Sequence, residues 1–274
     1  MTAFLSATAL TSFYIGSGTP VQAFPLGDLL FRSIQILQIS NLSEEQEARL
    51  GTQMHQNLLQ RGTTLIPDPN LNRYVTGIGQ RLVAVSRRPS LPFHFSIVRD
   101  NAVNAFATMG GYVYVTSGLL RTADNEAQLA SVMAHEIGHI EKRHLMSQIQ
   151  QSMIARGLVA TALGTDQNQL ANIGIDLLVS RPLSRQDEFD ADQAGLRMLR
   201  DANYASSAMP AFMRKLLRSG GGGPTVLSTH PGVPDRLKAL EQAIKTGPSN
   251  RCDTNSRLES CGLDTLAYQA KVKR

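Results

Sequence analysis

Along most of this chain apolar residues recur every three or four positions, and near residue 93 they begin to alternate instead. The first spacing is that of a helix with one buried face, the second that of a strand. Ser43 with Gln46 forms a capping box that opens a helix through Leu50, Met54, Leu58 and Leu59 to Gly62. Pro67 and Pro69 punctuate, and a second helix is expected from about Leu71 to Val85. Phe93, Phe95 and Ile97 alternate with His94, Ser96 and Val98, which predicts a strand in which His94 has no ligand role. Asn104–Thr108 and Tyr112–Thr116 flank Met109-Gly110-Gly111 as the arms of a hairpin. A long helix follows from about Asn125 to Arg143, then helical stretches over Leu170–Val179 and Arg185–Arg200. The four glycines Gly220–Gly223 before Pro224 make a loop, and Leu237–Ile244 is the last well-supported helix. The tail after Gly247 reads as polar and partly unordered.

The start of the chain reads differently. Met1–Ala23 carries no charge, contains the apolar stretch Ala3–Ile15, and ends in Val21-Gln22-Ala23, small residues where a signal peptidase reads. Residues 1–23 are therefore expected to be a signal peptide, although no Lys or Arg precedes the apolar stretch; a retained anchor is the other reading. The segment 24–42 carries Leu29, Leu30, Phe31, Ile34, Ile36, Leu37 and Ile39, an amphipathic helix expected to pack on the body. Peripheral contact with a membrane surface is its second use. No later stretch approaches ~18 uninterrupted apolar residues.

With 274 residues, 42% of them hydrophobic, the chain can bury a full core. Aromatic content is 5% and Trp is absent, which favours helices with aliphatic cores and, with the strands above, a mainly helical α+β fold. The net charge of +5 comes from scattered basic residues without aromatics between them, so nucleic acid is not an expected partner. Cys252 and Cys261 are the only cysteines; nine residues apart, they can close a short disulfide loop in an oxidising compartment, in keeping with export.

The chemistry is concentrated in His135-Glu136-Ile137-Gly138-His139. Two histidines four apart share one helical face and can reach one metal ion, and Glu136 beside them can take a proton from a water on that metal. A catalytic zinc needs a third protein ligand. A distal histidine in the HExxHxxGxxH pattern is excluded, because Lys142 and Leu145 occupy the required positions. His144 lies five residues after His139, about 140° further round a continuous helix, and is expected to be structural or solvent-facing. The acidic run Asp187-Glu188-Phe189-Asp190-Ala191-Asp192 remains. Glu188 and Asp192 share a face, so one can bind metal while the other accepts the second N–H of a ligand imidazole. By spacing alone Asp187 with Asp190 serves too.

These blocks together resemble the HtpX and CAAX-prenyl-endopeptidase family of gluzincin metalloproteases, and within it the soluble envelope members of the BepA type. The resemblance spans roughly Leu42 to Ala243. It rests on Ser43-Glu44-Glu45-Gln46-Glu47 leading to Gly51, Asn104-Ala105-Phe106-Ala107 with Gly110-Gly111, His135–His139, Arg185–Asp192, and Thr229-His230-Pro231 followed by Arg236-Leu237. It implies a zincin-like domain, here residues 43–246, with a small β-sheet beside the HExxH helix and a polar tail over 247–274. It also implies one Zn2+ held by His135, His139 and Glu188, Glu136 as general base, and Asp192 as the acid four residues on, read here as orienting His135 or His139, with proton donor as the family's other reading of it. His230 or Arg236 would share the charge developing on the scissile oxygen, or His230 would occupy the open metal position as a latch. The segment Asn104, Ala105, Phe106 and Ala107 would pair with a substrate strand.

The expected function is a zinc metalloendopeptidase, exported to the periplasm or cell envelope, that degrades unfolded or misassembled proteins there. The competing expectations are a latent or chaperone-like assembly factor with a mainly structural zinc, and a peripheral membrane module using residues 24–40.

Overall fold

The computed structural model describes residues 42–155, 167–180, 182–218, 229–254 and 261–272. The expected signal peptide 1–23, the 24–42 segment up to its last residue, and the tetraglycine run lie outside them. Helix α1 (Glu44–Gln60) opens on the expected capping box: Ser43 Oγ accepts from Gln46 N, and Gln46 Oε1 accepts from Ser43 N at 2.8 Å. Helix α2 (Pro69–Val83) starts two residues earlier than the apolar pattern suggested, because Asp68 caps it and Pro69 sets its first turn.

Strands β1 (His94–Val98), β2 (Ala105–Ala107) and β3 (Tyr112–Thr116) form one sheet of order β1-β3-β2. β2 and β3 are the expected antiparallel hairpin, joined by a 3-10 turn at Met109–Gly111; β1 pairs with β3 in parallel. Side chains alternate across β3, so Val113 and Val115 enter one core while Tyr112 and Tyr114 enter another. His94 is a strand residue, as expected, stacked on Tyr112 at 4.5 Å. The turn lies tight under α1: a β-carbon on Gly51 would fall 2.2 Å from Met109 O, and Gly110 has φ +69°.

The short helix α3 (Ser117–Thr122) leads into α4 (Glu126–Glu141), which carries the HExxH motif. Every residue of α4 from Ala127 to Ile140 is buried, so apolar residues occupy all its faces and the few polar ones, the HExxH side chains among them, are enclosed with them. Helices α5 (His144–Ala155) and α6 (Gln167–Ser180) pack with α1 around the second core. Helices α7 (Arg185–Asp201), α8 (Ala208–Arg218) and α9 (Val233–Thr246) close over α4 from the other side.

Two local expectations fail. The helix predicted through Arg143 stops at Glu141, because Arg143 takes a left-handed conformation (φ 56°) and the chain turns. Glu47 and Leu42 O hold that turn, at 3.1 and 3.0 Å from the Arg143 guanidinium. The tail is also more ordered than its composition suggests. Helices α10 (Arg251–Thr254) and α11 (Thr265–Val272) bury Cys252 and Tyr268 in the main core, and Cys252 is bonded to Cys261. Gly262 O then accepts from Ala127 N at 2.8 Å, satisfying an orphan donor in the first turn of α4. A few apolar anchors and one covalent loop outweigh a polar average. Among the described residues no helix is long and apolar enough to cross a membrane.

Candidate metal centre

The site is built by two i, i+4 pairs facing each other across the α4–α7 contact. His135 and His139 point out of α4, and Glu188 and Asp192 out of α7. The other acids of the run are used elsewhere: Asp187 completes a capping box with Ser184, and Asp190 accepts from Gln186 at 3.0 Å. Helix position thus resolves the choice that spacing alone left open.

His135 Nε2 and His139 Nε2 stand 3.0 Å apart. Glu188 reaches between them, Oε2 lying 3.4 Å from His135 Nε2 and Oε1 3.6 Å from His139 Nε2. His230, from the chain just before α9, brings Nδ1 to 3.3 Å from His135 Nε2 and 3.1 Å from Glu188 Oε1. Nitrogen and oxygen donors at about 2.0–2.1 Å from a tetrahedral zinc stand about 3.3 Å from one another. The donor atoms of all four buried residues lie within 4.8 Å of one another, close enough to gather round a single metal ion. Zinc is the cofactor this donor set takes.

Behind the donors is a second layer. His135 Nδ1 lies 2.9 Å from Asp192 Oδ1, at hydrogen-bond distance. Arg236, buried at the start of α9, donates Nε and Nη2 to Asp192, each at 2.7 Å, and Nη1 to Glu188 at 2.6 Å. Its guanidinium is committed to the two carboxylates. Burial opposes charge on His135, as does Arg236, yet hydrogen bonds to Asp192 and Glu188 prevail and raise its pKa to about 9. Burial and the neighbouring His135 push His139 well below its ordinary value. Burial opposes ionisation of Glu188 and Asp192; His230 and His135 hold the first low, Arg236 and His135 the second.

Glu136 is 1% exposed, and its Oε1 has no hydrogen-bond partner among the described residues; His230 Nε2 is 3.5 Å away. It opens onto a cavity of about 340 Å³ whose wall includes Asn104, Phe106, Leu145, Met146, Ile175 and Leu178. Asn104 Oδ1 is buried there, also unpartnered among the described residues. β2 is an edge strand. Thr108 N and Asn104 O bond to β3, so by alternation the backbone N–H and C=O of Ala105 and Ala107 face away from it.

Of the two places expected for His144, structural or solvent-facing, it takes the first, but it lies beside His139 where helical spacing had sent it away. His144 is buried, not solvent-facing, and its Nδ1 lies 2.7 Å from His139 Nδ1. The left-handed Arg143 brings it there, and nothing in Lys142-Arg143-His144 announces such a turn.

Comparison with known proteins agrees with this arrangement. The profile of Peptidase family M48 matches residues 69–244. This chain belongs to peptidase family M48. The M48 metalloprotease domain holds both i, i+4 pairs, His230 and Arg236. The chain is 38% identical over 214 residues to the Escherichia coli K12 protein named beta-barrel assembly-enhancing protease, covering 72% of this chain and 44% of that one. It is 32% identical to the mitochondrial metalloendopeptidase OMA1 of Arabidopsis thaliana, over 58% of this chain and 33% of that protein. To a protease HtpX homolog of Paraburkholderia phytofirmans it is 27% identical, over 60% of this chain and 72% of the other. The chain spans about half the length of the beta-barrel assembly-enhancing proteases it matches.

Proposed function

We propose that this M48 chain is a zinc-dependent endopeptidase acting on unfolded or misassembled proteins of the cell envelope. The observation that carries the reading is Glu136: a buried carboxylate with an unpartnered oxygen, beside a complete zinc donor set and open to a cavity. A purely structural zinc site has no use for such a group.

His135, His139 and Glu188 are the proposed metal ligands. A zinc ion bound there supplies a Lewis acid that acidifies a water molecule and polarises the scissile carbonyl. Glu136 accepts the water's proton at its unpartnered oxygen and passes it to the departing amine nitrogen. Asp192 fixes the His135 ring, and Arg236 holds Asp192 and Glu188 in place. The outward N–H and C=O groups of Ala105 and Ala107 pair with an extended substrate, with Asn104 and Phe106 on the adjoining wall. Recognition through backbone suits many sequences and favours unfolded chains. The apolar wall formed by Leu145, Met146, Ile175 and Leu178 adds a preference for one apolar substrate side chain near the cut bond.

His230 supports a second reading, a latent protease. Its Nδ1 stands at ligand distance from the other donors, where it closes the position that catalysis keeps open. Its Nε2, 3.5 Å from Glu136 Oε1, lies where the same ring could instead serve a developing oxyanion. Export by way of residues 1–23, with action in the periplasm or envelope, remains part of the proposal, supported by the Cys252–Cys261 bond.

The test is degradation of an unfolded protein by the purified chain with zinc, beside Glu136→Gln. Cleavage by the wild type alone supports the enzyme. Inertness of both with zinc bound, persisting in His230→Ala, favours the scaffold reading.

A further inference from the structure

His139 presents Nε2 to the donor cluster, 3.0 Å from His135 Nε2 and 3.6 Å from Glu188 Oε1. If that nitrogen is to bind a metal through its lone pair, the ring's proton must sit on Nδ1. Nδ1 faces His144 Nδ1 at 2.7 Å, with both rings buried. Two ring nitrogens at that distance require one donor and one acceptor. His139 supplies the donor, so His144 Nδ1 must be the acceptor. The His144 proton is thereby assigned to Nε2, on the side of Asp187 Oδ1 at 3.6 Å.

His144 thus does for His139 what Asp192 does for His135. The two ligand histidines have different supports: a carboxylate locked by Arg236, and a neutral imidazole on the far side of a chain reversal. The reversal is costly in itself, since Arg143 holds φ 56° without being glycine. Glu47, buried and also bound by Arg88, holds Arg143 in it. On a continuous helix position 144 would lie about 140° round from position 139 and miss it.

We infer that His144 is a positioning residue of the metal centre, whose Nδ1 accepts the His139 Nδ1–H and so sets the tautomer and ring orientation with which His139 meets zinc. The inference rests on His139 being a metal ligand. An outer partner of this kind alters metal affinity by about 10–100-fold when removed.

The experiment compares zinc affinity, by competition with a chromophoric chelator, for the full chain and for His139→Ala, His144→Leu and His144→Asn. The visible spectrum of the cobalt-substituted forms is recorded alongside. Asn carries Oδ1 where His carries Nδ1, so it keeps the acceptor while losing the ring. His139→Ala should lose zinc, His144→Leu should bind about 10–100-fold more weakly with an altered cobalt spectrum, and His144→Asn should stay within about threefold of wild type. Wild-type affinity in His144→Leu overturns the inference. So does an equal loss in the Leu and Asn variants, which would make the ring's bulk the operative property. Unchanged zinc binding in His139→Ala would instead overturn the ligand assignment itself.

Discussion

Gly138 and Ala191 touch backbone to backbone: a β-carbon on Gly138 would lie 2.8 Å from Ala191 O. This close approach of α4 and α7 lies between His135 and His139 on one helix and between Glu188 and Asp192 on the other. The separation of the metal donors is set there.

Gly138→Ala should therefore cost more than a helix glycine normally returns. Ala in a helix gains about 1 kcal/mol over Gly, whereas forcing apart a packed contact costs about 1–3 kcal/mol. The expected result is a net loss of stability in urea unfolding, with weaker zinc binding as Glu188 withdraws from His135 and His139. Unchanged zinc affinity would separate the donor geometry from this contact.

Removal of zinc should lower both stability and activity. Four donors held in the native fold and scattered in the unfolded chain mean that free zinc at a hundred times its dissociation constant stabilises by about 2.7 kcal/mol. Glu136→Gln should keep that stabilisation, because its side chain is not one of the four donors, yet lose proteolysis. Thermal melts with and without chelator, on both proteins, check the pair.

His230→Ala distinguishes the two roles of that residue. As a latch, its removal opens the fourth position and raises peptide hydrolysis severalfold. As the donor to an oxyanion, its removal lowers kcat by about 10²–10³. An initial-rate assay decides between them, and an unchanged or lower rate counts against the latch.

Reduction of the Cys252–Cys261 bond should destabilise by about 2–3 kcal/mol, the value for a loop of this size. The loss should reach α4, since Gly262 O caps its first turn through Ala127 N. Amide exchange at Ala127 should accelerate in the reduced protein or in Cys252→Ser, and urea unfolding gives the magnitude.

A peptide library should show one position next to the cut bond enriched in apolar residues, with broad tolerance elsewhere. Met146→Lys, which puts a charge on the cavity wall, should reduce that enrichment; a flat profile in the wild type would mean that the cavity does not receive substrate.

What the sequence determined by itself was local. Ser43 and Gln46 start a helix by bonds across three residues, and His135 with His139, or Glu188 with Asp192, share a face because 3.6 residues make a turn. The hairpin around Gly110-Gly111 is equally short-ranged. The tertiary structure decided everything that needed two elements to meet. Spacing allowed either acid pair; the α4–α7 contact turned Glu188 and Asp192 inward, and the capping box occupied Asp187. Arg236 was a candidate oxyanion donor until its neighbours in space, Asp192 and Glu188, took its donors. His144 was hidden for the same reason in reverse. Helical spacing sends it away from His139, and only a left-handed Arg143, held by a distant buried Glu47, brings it back. Periodicity is a property of consecutive dihedral angles, whereas such a break is sustained by contacts the local sequence does not contain.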